Sequence, residues 1–181
     1  MAGAMSVPSN CTTAVRGPLI VTAALGPDDF AWLDGERRRF FPPERNQLDA
    51  HLTMFHALPP SLEAEVRTFL KTQCKRSRPA ATIAGLINLG RGAAYRVSSP
   101  DLDSIREAIA DHFHGSLTVQ DAAGWRAHVT VQNKMTSLEA RDLFDQLTKD
   151  FRPRSLAIHG LALHRYLGGP WEMLGQWAFR G

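Results

Sequence analysis

Two short stretches of this sequence share one pattern, DAHLTMF at residues 49–55 and RAHVTVQ at residues 126–132. In each, apolar and polar side chains alternate, which is typical of a strand with one face in a core. Because successive strand side chains point to opposite faces, His51 and Thr53 share the polar face of the first strand. His128 and Thr130 share that face of the second. The stretches therefore predict two related strands, each presenting a histidine and a threonine.

The rest of the chain alternates between strand-like and helix-like segments that glycine and proline separate. We expect strands at residues 19–25, 48–58, 81–89, 93–97, 125–133, 155–166 and 171–179. We expect helices to begin at Asp28 or Asp29, Ser61, Asp101 and Ser137. The element order of the second half nearly repeats that of the first, with the opening strand missing. This repeat predicts two similar lobes with a ligand cleft between them.

Length and composition are typical of one compact domain. The 181 residues are 44% hydrophobic, enough for a sizeable core, and we expect a single domain at residues 16–181 after a loose tail at residues 1–15. The net charge of +3 fits an anionic ligand such as RNA or a nucleotide. However, 21 basic against 18 acidic residues is far from the charge of an obligate duplex-DNA binder.

The two cysteines, Cys11 and Cys74, are far apart and have no CxxC partners, so neither a disulfide framework nor a cysteine zinc site is indicated. A reducing cytoplasm is the expected location. No stretch resembles a signal peptide or approaches the roughly 20 apolar residues of a membrane span.

A histidine and a threonine on one strand face suit an anionic oxygen. The imidazole exchanges a proton near neutral pH, and the hydroxyl can bond a phosphoryl oxygen. Two facing copies would bracket one phosphorus atom. A neutral histidine could then take a proton from the attacking group while its protonated partner gives one to the leaving oxygen, and no metal or other cofactor is needed.

Other residues carry weaker signals. A single H-x-T triplet means little in a chain with seven histidines, but the pair occurs at corresponding places in the two half-repeats, and each follows an alanine. His112 and His114 could mimic a metal pair, although a solvated surface is favoured. Arginine-rich residues 37–39 and 75–78 are interpreted as solvated helix ends. The remaining histidines, interpreted as structural or surface residues, are His56, His159 and His164.

Motifs of several enzyme classes are missing from the sequence. There is no GxSxG elbow, GxxxxGK[ST] loop, HExxH helix or GxGxxG turn after a strand. These absences argue against serine hydrolases, P-loop enzymes, zincins and dinucleotide enzymes.

The paired motifs resemble the signature of the 2H phosphoesterase superfamily, specifically its 2′-5′ RNA ligase-like (LigT-like) branch. Residues 50–59, 126–134 and 165–172 are also similar to stretches of that branch. The resemblance implies an α+β bilobal fold, in which two pseudo-symmetric lobes with antiparallel sheets line a central cleft. It further implies that His51, Thr53, His128 and Thr130 match the four functional positions of the family. Many members have proline where this chain has Ala50 and Ala127, which indicates a subgroup with a different natural substrate.

We therefore predict a metal-independent phosphodiesterase that hydrolyses 2′,3′-cyclic phosphates, or 2′-5′ linkages, of RNA or nucleotides. We expect a monomer with no membrane or duplex-DNA partner. Each threonine would hold a non-bridging oxygen, and Arg126 could offset phosphoryl charge. Phe55 could stack on a base or form a wall of the core.

The resemblance also implies which ester bond breaks. The 3′ oxygen would leave and a 2′-phosphate would remain, with His51 as the acid and His128 as the base. Two alternatives stay open, namely 2′-5′ RNA ligation in the same site and a nucleotide or RNA-end binding module without turnover.

Overall fold

The structure is a computed structural model that describes residues 17–181. The tail predicted at residues 1–15, and Cys11 with it, lie outside the described residues. The seven strands are β1 (Leu19–Leu25), β2 (Leu52–Leu58), β3 (Ala80–Asn88), β4 (Ala93–Ser98), β5 (His128–Gln132), β6 (Arg154–Tyr166) and β7 (Trp171–Ala178). The helices are α1 (Pro27–Phe40), α2 (Glu63–Gln73), α3 (Pro100–His112), α4 (Val119–Ala122) and α5 (Ser137–Asp150).

The long strand β6 joins two antiparallel sheets. Residues 158–165 of β6 pair with β1, and residues 160–166 pair with β7 on the other side, which gives a first sheet in the order β2-β1-β6-β7. Residues 154–157 of β6 pair with β3, which gives a second sheet in the order β6-β3-β4-β5. Each histidine strand is therefore the edge strand of a different sheet.

Each sheet combines strands from both halves of the sequence. The first sheet pairs β1 and β2 with β6 and β7, and the second pairs β3 and β4 with β5. The prediction of one histidine strand per lobe is confirmed. The lobes are nevertheless not the two halves of the chain, because long-range pairing through β6 crosses the boundary that the repeat of element order suggested.

The predicted division of the two motifs into core and polar faces is confirmed with two exceptions. The buried alternate positions are Ala50, Leu52, Met54, Ala127, Val129 and Val131. Phe55 is also fully buried, since the β1–β2 register shifts between Val21 and Thr22 and a bulge there breaks the alternation. Gln132, expected on the polar side, is buried next to the register shift between Ala93 and Ala94.

All four long helices begin within two residues of their predicted positions, but α1 and α2 have no side-chain cap. The N-cap residue of α1 is Gly26, which has no side chain to cap the helix. Asp29 accepts hydrogen bonds from the Ala157 amide at 2.7 Å and from Arg154 at 2.9 Å. Helix α2 begins at Glu63, beyond Ser61, without a side-chain cap. In α1 the carboxylate therefore ties the helix to β6 and does not cap it.

The other two helices, α3 and α5, have side-chain caps. Helix α3 is capped by Ser99, whose hydroxyl accepts from the Leu102 amide at 3.1 Å. Helix α5 begins at Ser137 as predicted, but Thr136 is its cap and forms a complete capping box with Glu139. Leu138, in the first turn of α5, is 70% exposed.

Glycines form two of the turns between paired strands. Gly90, between β3 and β4, has a φ of +78°, and Gly168, between β6 and β7, has a φ of +90°. Glycine adopts this left-handed backbone without steric cost. Within residues 17–181, no helix has the length and apolar character needed to cross a bilayer.

Candidate active site

The two motif histidines have the same local anchor. His51 lies directly before β2, and its Nδ1 is 2.8 Å from the carbonyl oxygen of Asp49. His128 is the first residue of β5, and its Nδ1 is 2.7 Å from the carbonyl oxygen of Arg126. A carbonyl oxygen only accepts, so each Nδ1 carries a hydrogen and donates it. In both rings Nε2 is left to take or give a proton.

Several hydrogen bonds hold the two motif strands close together. The indole Nε1 of Trp125, three residues before His128, donates to the carbonyl oxygen of Thr53 at 3.1 Å. Arg37 donates to the carbonyl oxygen of Leu48, just before the first motif, at 2.8 Å and to that of Thr130 at 2.9 Å. These bonds connect the backbones of both motifs.

Arg37 was interpreted as part of a solvated helix end, and this interpretation is wrong. Its side chain is 4% exposed and also donates to Asn46 at 2.8 Å, whereas Arg38 and Arg39 are exposed as expected. The sequence contained a signal, since Arg37 follows Leu33 at helical spacing and so falls on the buried side of α1.

His51 is neutral at pH 7 in the ligand-free protein. Burial is the main cause that lowers its pKa to about 4, and the positive charges of Arg37, His164 and His128 act in the same direction, against the raising effect of the hydrogen bond to Asp49. Strands β2 and β5 contact each other, so the two motif histidines lie at the starts of neighbouring strands. Thr53 and Thr130 are half-buried on the same strand faces as their histidines.

A cavity of about 550 Å³ opens beside His51. Its wall includes Trp171, whose ring centroid is 4.7 Å from that of His51 and 5.5 Å from that of His164. Phe30 and Met173 add apolar surface. The sequence predicted no role for Trp171, although this residue lies within residues 165–172, one of the stretches similar to the LigT-like branch.

His159 and His164, expected to be structural or surface residues, both line this cavity. The Nε2 of His164 is 3.0 Å from the hydroxyl oxygen of Thr22, and burial lowers the pKa of His164. The sequence offered no sign of this position, because His164 reaches the site through the pairing of β6 with β1.

A second hollow, of about 420 Å³, opens beside His128 and Thr130. Arg126 lines it, as the prediction of a substrate-binding role requires, and so does Arg106 of α3, which the sequence did not single out. Phe55 does not line it. That ring is 0% exposed and is covered by the guanidinium of Arg106 at 4.6 Å, so no face of it is free for a base. The alternative of a core wall is confirmed.

Two further histidines, His56 and His112, are not part of the paired motifs and bond to carboxylates. His56 is exposed and its Nδ1 is 3.0 Å from Asp121, and His112 is 2.8 Å from Glu65 and stacks on Phe69. In the part of the chain that the structure describes, no group of three or more histidine, cysteine or carboxylate side chains is arranged to hold a metal ion.

Residues 27–170 match the 2′-5′ RNA ligase superfamily. The chain belongs to this family. Within the 2H phosphoesterases it falls in the LigT-like branch, which agrees with the two sheets and the paired motifs described above. A search of curated proteins found no match.

Solved structures of LigT-like proteins share the fold. TT0787 of Thermus thermophilus superposes with a TM-score of 0.62 at 16% identity, covering 91% of this chain and 98% of that one. E. coli LigT complexed with NADP+ gives a TM-score of 0.59 at 14% identity, covering 91% of this chain and 98% of LigT. LigT complexed with 3′-AMP gives 0.59 at 16% identity, covering 92% and 99%. The bilobal α+β fold is thus that of the LigT-like proteins.

Proposed function

We propose that this protein is a metal-independent phosphodiesterase that opens 2′,3′-cyclic phosphates at RNA ends or on nucleotides. The observation that carries the proposal is the matched pair of histidines, each with Nδ1 donating to the carbonyl two residues earlier and Nε2 free. Membership of the 2′-5′ RNA ligase superfamily supports the same chemistry.

In the proposed reaction, the Nε2 of a neutral histidine takes a proton from a water molecule as its oxygen bonds to phosphorus. The bond from phosphorus to one ribose oxygen breaks, and the Nε2 of the protonated partner gives that oxygen its proton. The hydroxyls of Thr53 and Thr130 donate hydrogen bonds to the non-bridging oxygens, whose charge grows in the transition state. Water adds across the ester bond, and the imidazoles end with their protonation states exchanged.

The assignment of acid and base depends on the substrate. The resemblance implies that His51 is the acid, yet its pKa of about 4 leaves it neutral in the free protein, which is the state of a base. An anionic phosphodiester next to Nε2 favours the imidazolium form. His51 can therefore act as the acid only if the bound substrate raises its pKa, and otherwise the two roles are reversed.

Trp171 is proposed to contact the base or ribose of the substrate, the role that buried Phe55 cannot fill. Its ring lies beside His51 in the wall of the larger cavity. An aromatic ring next to a phosphate position can stack on any base. LigT has been crystallised with 3′-AMP and with ATP, which supports a nucleotide in this family's cleft.

Turnover of a 2′,3′-cyclic nucleotide in the presence of EDTA tests the proposal. We expect activity to survive chelation and to fall about 10²–10⁴-fold in His51→Ala and in His128→Ala, since each variant lacks a positioned acid or base. His114→Ala is the matched control, because His114 makes the same Nδ1 contact to a carbonyl, that of Asp111 at 2.9 Å, but is exposed outside the cleft.

Other results would point to other functions. Binding without turnover would identify a nucleotide or RNA-end binding module, and activity that returns only when a metal is added would contradict the mechanism. The family name supports one second candidate, 2′-5′ ligation, in which the 5′-hydroxyl of a second RNA replaces water as the nucleophile, the same 3′ oxygen leaves and a 2′-5′ bond forms in the same site. Incubating an RNA with a cyclic phosphate end and an RNA with a 5′-hydroxyl would reveal the joined product.

A further inference from the structure

The hollow beside His128 differs in chemistry from the cavity beside His51. The larger cavity has Trp171, Met173 and Phe30 in its wall and, among residues 17–181, no arginine. The hollow beside His128 contains two arginines, Arg106 and Arg126. The two sides of the cleft are therefore suited to different parts of one ligand.

Arg106 is a buried cation with unused hydrogen-bonding capacity. Its side chain reaches from α3 into the hollow, is only 9% exposed, and lies over the rings of Phe55 at 4.6 Å and Trp125 at 5.6 Å. It donates to the carbonyl oxygen of Asp121 at 2.5 Å, while its Nε has no partner. Burial lowers the pKa of Arg106, which reflects the cost of keeping its charge out of water.

The acidic residue of the hollow does not use up this charge. The carboxylate of Asp121 is 1% exposed and accepts from the amides of His56 and Ala57 and from the His56 ring, at 2.9–3.0 Å. Within residues 17–181, Arg106 forms no ion pair with that carboxylate. Asp121 thus positions His56 and the β2 backbone, and its charge raises the pKa of Arg106 without forming an ion pair, so the guanidinium can still receive another anion.

Arg126 provides a second cation at the mouth of the same hollow. It is exposed, and within the described part of the chain its guanidinium has no ion-pair or hydrogen-bond partner. Its backbone carbonyl is the anchor of His128, so the residue is fixed next to the catalytic ring. A cyclic phosphodiester carries a single negative charge, and two arginines beside it are more than that charge requires.

We propose that the hollow beside His128 is a second anion subsite, which binds the 5′-phosphate of the nucleotide whose 2′,3′-phosphate reacts. The planar guanidinium groups of Arg106 and Arg126 fit the paired oxygens of a phosphate. This subsite rests on the proposed function, and it defines the substrate as a nucleotide with phosphate groups on both edges of its ribose. Such a nucleotide is either the last residue of an RNA strand or a free 5′-phosphorylated nucleotide.

Three substrates separate these possibilities: adenosine 2′,3′-cyclic phosphate, the same compound with a 5′-phosphate, and the dinucleotide ApA ending in a 2′,3′-cyclic phosphate. We expect the 5′-phosphorylated compound to have a kcat/KM roughly tenfold above that of the first, the effect of a charge-assisted hydrogen bond. An equal gain for the dinucleotide identifies an RNA end as the ligand, and no gain for it identifies the free nucleotide. Equal kcat/KM values for all three overturn the subsite.

Two variants test whether the gain in kcat/KM from the 5′-phosphate depends on the hollow beside His128. Arg126→Ala should remove most of the advantage of the 5′-phosphate, whereas Arg141→Ala should keep it, because Arg141 is an exposed arginine of α5 that lines neither hollow. If Arg126→Ala lowers kcat/KM by the same factor for all three substrates, Arg126 serves the reacting phosphate and the proposal is wrong.

Equilibrium binding keeps the subsite testable if no substrate turns over, an outcome that would count against the proposed function alone. Calorimetry would compare adenosine 2′-phosphate with adenosine 2′,5′-bisphosphate. We expect the bisphosphate to bind more tightly, with a slope of log affinity against log salt steeper by roughly 0.7, as for one added phosphate contact. Identical affinities and slopes for the two compounds would overturn the subsite by this route.

Discussion

His51 and His128 are held by the backbone carbonyls of Asp49 and Arg126, and this local anchor occupies Nδ1 and leaves Nε2 free in both rings. The anchor uses only residues two positions apart, so it is built into each motif. Trp171 is different. It reaches the ring of His51 only because β7 returns antiparallel to β6.

Replacing Trp171 with alanine should raise KM for a 2′,3′-cyclic nucleotide about 10-fold and change kcat little, because stacking on a base contributes about 1–3 kcal/mol and is present in both the ground and transition states. Trp171→Phe should retain most of the affinity. Steady-state kinetics measure both constants. A KM that does not change in the alanine variant would show that the base lies elsewhere.

The residues that could be predicted are those whose role depends on local alternation. His51, Thr53, His128 and Thr130 fall on one face of their strands because side chains alternate, and that rule needs no tertiary information. Arg106 and His164 reach the cleft from other elements, and Phe55 left the polar face at a bulge in the β1–β2 pairing. Contacts between distant elements and irregular register have no short-range signature in a single sequence.

Helix α1 is the element that connects the two motifs. Arg37, one helical turn after Leu33, places its guanidinium between the segment that precedes β2 and the backbone of β5. The sequence predicted the strands and most turns well, since glycine, proline and alternation mark them. It predicted the helix starts to within two residues, but it did not predict that Asp29 bonds to β6 or that α2 has no side-chain cap.

Arg37→Met should lower the free energy of unfolding by about 3 kcal/mol, since it leaves the carbonyls of Leu48 and Thr130 without their donor. The activity should fall as well, because the two motifs lose a shared support. Arg39→Met is the control, as Arg39 is exposed on the same helix, forms no ion pair within residues 17–181 and should lose under about 1 kcal/mol. Urea unfolding and kcat would be measured in parallel. Equal stability in the two variants would contradict the bridging role.

The whole molecule should become less stable as the pH falls because of His51. Its pKa is about 4 in the folded protein and 6.5 in the unfolded chain, so between these values only the unfolded chain binds the proton. The stability that the neutral ring contributes is therefore lost as the pH falls from about 6.5 toward 4.

The matching experiment compares the wild type with His51→Gln by urea unfolding at pH 7 and pH 5. The wild type should lose about 2 kcal/mol more than the variant on acidification. The pKa of His164 is also lowered, but His164 is present in both proteins and its effect cancels in the difference. Parallel losses would mean that His51 titrates normally in the folded state.

At the scale of the two lobes, the cleft should decide which ester bond breaks in the proposed reaction. In-line attack requires the water to lie opposite the departing oxygen, so histidines on two different sheets commit the ring to opening one way once the sugar is oriented. The two sides of the cleft are chemically unlike, one aromatic with Trp171 and one cationic with Arg126, so the sugar has a preferred orientation.

We expect the 3′ oxygen to leave and a 2′-phosphate to remain, as the resemblance of the motifs to LigT-like proteins implies. Digestion of a 2′,3′-cyclic nucleotide followed by phosphorus NMR resolves the two monophosphates. A pure 3′-phosphate would reverse the orientation of the sugar, and an equal mixture would show that the cleft does not orient it.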